Sequence, residues 1–141
     1  LNNLILLTHR LPGVFNVAGE FMVIYSNIFF KLFGRNSGRI EGVTIWPFII
    51  LRRDIRNTPE VRFIINHEKI HIAQQSELFV LLFIFIYAFE YFTGRIKGHS
   101  PDKAYRGIRF EREAYTYMYD LQYLKNRKFL AYRKINGDKH V

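Results

Sequence analysis

Residues 67–71 read His-Glu-Lys-Ile-His, two imidazoles four positions apart with a carboxylate directly after the first. On an α-helix, positions four apart differ by about 40° around the axis and lie one turn apart. Both rings then project to one side and can share a tetrahedral Zn²⁺ at about 2.0–2.1 Å. Glu68 stands at the edge of such a site. There it can take a proton from a metal-bound water, whose pKa the metal brings toward about 7, and pass it to a leaving amine. The chemistry asks for His at i and i+4 and an acid at i+1, and His67, His71 and Glu68 meet it. Ile64, Ile65, Ile70, Ile72 and Ala73 would bury much of the same helix, so the polar trio needs partners.

Two histidines do not make a catalytic zinc site, which takes three protein ligands and keeps one position open. Ten residues after His67, the metzincin spacing, stands Glu77. Along an unbroken helix it lies about 15 Å farther up the axis, and Gln74 occupies the place where a turn would have to begin. His99 offers a second choice from a loop. Residues 110–115, Phe-Glu-Arg-Glu-Ala-Tyr, offer Glu111 and Glu113 from a separate helix, and either would complete a His-His-Glu set. Gln74 and Gln75 follow the second His by one turn and read as ordinary surface polar residues. The run Arg52–Arg56 reads as a solvated loop. Tyr105, Tyr115 and His99 are candidates to stabilise charge on a reacting carbonyl.

HExxH followed some tens of residues later by Glu-x-x-Ala resembles the gluzincin metallopeptidases, above all the small single-domain minigluzincins. The wider stretch NHEKIHIAQQSELFV … DKAYRGIRFEREAY also resembles a group of small uncharacterised bacterial proteins presumed to be metallopeptidases. The likeness covers residues 66–115. It implies that the first Glu of the second motif, Glu111, is the third ligand beside His67 and His71, and that Glu68 is the general base. It also implies that an edge strand above the metal pairs with an extended peptide, a mode in which main-chain hydrogen bonds hold the ligand. Where the family often carries Asp after the Ala, this chain has Tyr115. A carboxylate to orient a ligand would then come from Glu113, Glu90 or Asp120.

These residues need elements to hold them. Thr58-Pro59-Glu60 reads as a helix start, with Thr58 as cap and Pro59 at the first helical position. The helix is expected to run from Pro59 past His71, through the apolar run Leu78–Phe92, and to stop before Gly94, with a kink as an option. Thr93–Pro101 reads as loop, and Asp102–Asn126 as a second long helix. Arg39–Leu51 is β-branched and aromatic, so Gly42–Leu51 is either an edge strand or two short strands meeting at Pro47, which cannot donate to a ladder. Residues 14–33 read as a helix or a mixed segment. The expected fold is α+β: two long helices carrying the ligands, a small sheet with an edge strand near 42–51, and a short N-terminal helix. Residues 1–126 form one domain and 127–141 a basic tail.

With 141 residues the chain suits a single domain with a real core. It contains no cysteine, which excludes disulfides, a thiol nucleophile and Cys-ligated metal. The net charge is +9, of which +7 falls on residues 95–141. That excess fits an anionic membrane surface or a solvated face; no nucleic-acid motif is present, so no nucleic acid is expected. Leu78–Phe92 carries only Glu90 as a charge, but falls short of the roughly 20 residues a span needs. It reads as a buried core helix, a helix lying half in the membrane, or a span completed by flanking residues. The location expected is cytoplasmic or membrane-associated, in a bacterial-like cell. The function expected is a zinc-dependent hydrolase acting on a peptide or protein. The rival is a non-catalytic helical module stapled by metal, resting on a membrane or a protein partner.

Overall fold

The computed structural model describes residues 4–5, 21–33 and 40–135. The fold is α+β. Its elements are β1 (Leu4–Ile5), β2 (Met22–Tyr25), α1 (Asn27–Phe33), β3 (Gly42–Ile45), β4 (Phe48–Leu51), α2 (Val61–Leu78), α3 (Val80–Ile96), α4 (Pro101–Gly107), α5 (Arg109–Tyr117) and α6 (Tyr123–Asn126), followed by a 3-10 turn, Ala131–Lys134. The four strands form one mixed sheet in the order β1-β2-β4-β3. β2 runs parallel to β4, with Val23 beside Ile49 and Tyr25 beside Leu51. β3 closes antiparallel on β4, with Ile45 opposite Phe48. Of the two readings of residues 42–51, two short strands meeting at Pro47 is the one found. Trp46 and Pro47, joined by a cis peptide, make the turn.

The sheet has period-2 burial. Val23, Tyr25, Ile49 and Leu51 face inward and pack with Ile55, Ile64 and Ile72. α2 is therefore buried on its sheet side. On another side Ile70 and Ala73 meet Ala114 and Leu124. A third cluster, Phe83, Ile108, Phe110 and Tyr132, joins α3, α5 and the C-terminal turn. Residues 21–33 are the mixed segment, a strand and then a helix; residues 6–20 lie outside the described ones.

Three expected boundaries are corrected. α2 begins at Val61 rather than Pro59, and the Thr58 hydroxyl donates back to the Ile55 carbonyl instead of capping the helix. The single helix expected from Pro59 to Gly94 is two helices, α2 and α3, bent by 112° at Phe79. An unbroken rod of that length would run about 50 Å, well beyond a domain of this size. The bend instead brings Phe83 back to stack on Phe110. Gly94 sits inside α3, where any side chain would press on Ala104 of α4.

The second long helix, Asp102–Asn126, is three pieces. Ser100 accepts a hydrogen bond from the Lys103 amide, Pro101 takes the first turn, and Ile108 is extended and buried between α4 and α5. α5 ends where the Asn66 side-chain amide reaches the carbonyls of Tyr117, Met118 and Asp120 at 3.0–3.2 Å, which satisfies orphan helix-end acceptors from across the core. The basic tail expected from residue 127 is packed against the body through Arg127 and Tyr132, both buried. Residues 136–141 lie outside the described ones.

Candidate metal centre

His67 and His71 stand one turn apart on α2, and Glu111 stands in the first turn of α5. All three are buried. Their ligand-type atoms lie within 4.8 Å of one another, the one such group among the described residues. The two Nε2 atoms are 3.1 Å apart. Glu111 Oε2 is 3.2 Å from His67 Nε2, and Oε1 is 3.3 Å from His71 Nε2. Ligand atoms at about 2.0–2.1 Å from one tetrahedral ion stand about 3.3–3.4 Å apart; the imidazole–imidazole spacing and the distance from each imidazole to one Glu111 oxygen, a different oxygen for each, are close to that. Glu111 Oε2 has no aligned hydrogen-bond donor among the described residues despite that 3.2 Å contact. Oε2 is thus the carboxylate oxygen left open, while the two imidazole Nε2 atoms face one another. Two imidazoles and a carboxylate are also the donor chemistry that zinc accepts.

The charges are mutually adjusted. Burial works against a charged His71, but Glu111 beside it, with Glu68 and Gln74, holds its pKa up at about 9. Burial likewise works against the Glu111 carboxylate, and His71 and His67 outweigh it, holding it well below the usual carboxylate range. The position of Glu111 near the positive end of α5 adds to this. The cluster thus calls for positive charge at its centre.

A frame behind these side chains fixes their direction. The Gln74 amide donates from Nε2 to the Phe110 carbonyl at 3.1 Å and to Glu113 Oε2 at 3.0 Å. Its oxygen therefore faces His71 Nδ1, 2.8 Å away. An acceptor there makes Nδ1 the protonated nitrogen and leaves the Nε2 lone pair for a cation. Glu113 also accepts from Tyr123 at 2.8 Å and from Arg127 at 2.6 Å. Arg127 reaches on to Glu77, whose other acceptances include the Leu130 amide. Neither Glu113 nor Glu77 joins the His67–His71–Glu111 group, then; both serve this buried ion network. Tyr87 of α3 donates to Glu111 Oε1 at 2.8 Å. His67 is held by its ring, edge-on to Tyr115 with centroids 4.6 Å apart.

Glu68 faces the edge strand. Thr44 of β3 donates to Glu68 Oε2 at 2.6 Å. A β-carbon at Gly42 would stand 2.4 Å from Glu68 Oε1, so glycine is needed for the strand to pass this close. Gln75 pins the same hairpin to α2. Its Nε2 donates to the Thr44 carbonyl at 2.9 Å and its Oε1 accepts from the Trp46 amide at 2.8 Å. A small cleft opens here, with Gly42, Ile64, His67, Glu68, Tyr105 and Tyr115 in its walls. Burial first, with the Glu111 charge adding, keeps both tyrosines protonated far into the alkaline range. Tyr105 and Tyr115 are thus neutral hydroxyl donors.

The structure brings together His67, Glu68, His71 and Glu111, with Tyr105 and Tyr115 of the three oxyanion candidates beside them. His99 is outside the group; its carbonyl accepts from Arg95. Glu90 binds Arg109, at the start of α5, and not His67 or His71. Gln74 and Gln75, expected at the surface, are 0% and 2% exposed. The i, i+3 spacing of His71 and Gln74 is the signal that places them on one face. Tyr87 carried no such signal, because its approach depends on the bend at Phe79. Comparison with protein-family models, with curated proteins and with solved structures finds no match for this chain.

Proposed function

We propose that this protein is a zinc-dependent hydrolase of peptide bonds, similar in its site to the gluzincins, with His67, His71 and Glu111 as the metal ligands and Glu68 as general base. The convergence of two imidazoles and a carboxylate whose ligand-type atoms lie within 4.8 Å of one another, with Glu68 in the wall of the adjoining cleft, is the observation that carries this reading. When bound, the zinc would supply a water of lowered pKa and a Lewis acid for a carbonyl oxygen.

The protein's own groups do the rest. Thr44 occupies Oε2 of Glu68, which leaves Oε1 to take a proton and return it to the leaving amine. Tyr105 and Tyr115 would donate to the oxygen on which charge develops. β3 would hold an extended peptide by its open edge near Gly42, since Gln75 already takes the Thr44 carbonyl and the Trp46 amide.

The test is a pair of measurements on one variant. Glu68→Gln should retain zinc at one per chain and lose about 10²–10⁴-fold in peptide turnover. A variant that cleaves as fast as the parent would refute the mechanism. Burial of all three ligands favours a second reading, in which the ion only staples α2 to α5. Zinc held without an exchangeable water, in a chain that cleaves no peptide library, would decide for the staple.

A further inference from the structure

α3 is apolar on every side, with only Glu90 and Arg95 charged among its 17 residues. A helix of that kind is covered all round. Its inner side is covered by protein, where Phe83 stacks on Phe110, Tyr87 meets Glu111, and Gly94 lies against Ala104. Its outer side is not. Leu81, Phe85, Phe89, Phe92 and Ile96 are 62–86% exposed. At 100° per residue they fall within an arc of about 80° and extend for about 23 Å. Stripes of this size mark an interaction surface.

The hairpin tip adds further exposed apolar side chains. Trp46 is tied through its amide to Gln75, one turn before the bend at Phe79, and Ile45, Trp46 and Phe48 are exposed. Tryptophan favours the membrane–water boundary, with an apolar ring and one polar N–H. Arg95, Lys97 and Lys103 are exposed at the other end. Long basic side chains can lie along an apolar surface and keep their charge in the headgroup layer. The only acid in α3, Glu90, is turned inward onto Arg109.

We propose that this face, the outer stripe of α3 with the 45–48 hairpin tip, docks flat on an anionic lipid bilayer. Charge selects the bilayer over a second copy. Two chains of +9 would meet with the same basic rim, whereas anionic headgroups offer the opposite sign. Flat docking fits the dimensions too. No single helix among the described residues is long and apolar enough to cross a membrane, and the α2–α3 pair is bent by 112°. The inference stands on this surface alone and is independent of the hydrolase reading.

Co-sedimentation of the full, zinc-treated chain with phosphatidylcholine vesicles, with and without 30% phosphatidylglycerol, is the test. Binding to the anionic vesicles should be at least about tenfold tighter and should weaken as salt rises. The triple variant Phe85→Ser, Phe89→Ser, Phe92→Ser should lose about tenfold or more on both vesicles. Lys97→Glu with Lys103→Glu should lose only the anionic preference. All five changes are at exposed positions, and circular dichroism checks that each chain is folded. Brominated lipid should quench Trp46, the one tryptophan. A parent chain that ignores both vesicles, or a triple variant that binds like the parent, overturns the proposal. A parent that is dimeric at micromolar concentration and becomes monomeric in the triple variant, with no lipid binding, assigns the face to a second copy.

Discussion

At the scale of single residues, the proposed metal site predicts a contest between a proton and a metal for the space among His67, His71 and Glu111. In metal-free protein the His71 pKa is raised from 6.5 to about 9 by Glu111. A raised pKa gives stability that is fully present below about pH 6.5 and lost as pH rises through about 9. Thermal melts of chelator-treated protein should therefore fall between pH 6.5 and 9.5, by on the order of 3 kcal/mol in unfolding free energy. A flat profile would show that the imidazole–carboxylate contact is not formed. Zinc must displace that proton, so its affinity should rise up to about tenfold per pH unit in the same window. Gln74→Ala removes the acceptor that fixes the His71 tautomer. It should cost about 10–100-fold in zinc affinity, read by competition with a chromophoric chelator.

At the scale of elements, the site depends on breaks more than on helices. Phe79 holds φ 61° and ψ 145°, a conformation that side chains strongly disfavour, and it is 82% exposed. Such a residue costs about 1–3 kcal/mol. Phe79→Gly should relieve most of that, less about 0.5–1 kcal/mol of added chain entropy in the unfolded state. Its urea midpoint should rise or hold, while Phe79→Val should lower it. A glycine variant clearly less stable than the parent would mean that Phe79 stabilises the bend by contact. This break was not legible in the sequence. No Gly or Pro marks residue 79, and the apolar run on either side favours one continuous helix. The start of the second break was marked by Gly107, yet the long run of helix formers and tyrosines beyond it reads as one rod. The 42–51 hairpin was half legible: Pro47 announced an interruption, but only pairing chose between an edge strand and a hairpin.

At the scale of the whole molecule, Arg127 closes the fold. It is buried, bonded to Glu113 of α5 and Glu77 of α2, and it carries the C-terminal segment onto the body. Removing one partner of a buried ion network leaves the others uncompensated, at about 3–5 kcal/mol. Arg127→Ala should lower stability by that order in urea titration and weaken zinc binding through Glu113, Gln74 and His71. A variant within about 1 kcal/mol of the parent would make the network incidental. A composition that reads as a basic tail conceals this role, because charge alone does not tell a solvated arginine from one that two carboxylates enclose.

The amino-acid order alone determined that two imidazoles share one side of a helix with a carboxylate beside the first, because four-residue spacing on a helix is a local rule that needs no partner. It also determined the α+β class and the apolar character of α3. Tertiary structure decided the rest. Glu111 and Glu113 are two residues apart and alike in chemistry, and only the packing of α5 against α2 turns one toward His67 and His71 and the other toward Arg127. Gln75, Thr44 and Tyr87 gained their roles in the same way. Each is a common polar side chain whose partner lies 24 to 31 positions away along the chain, and no local pattern can encode a distance that folding alone closes.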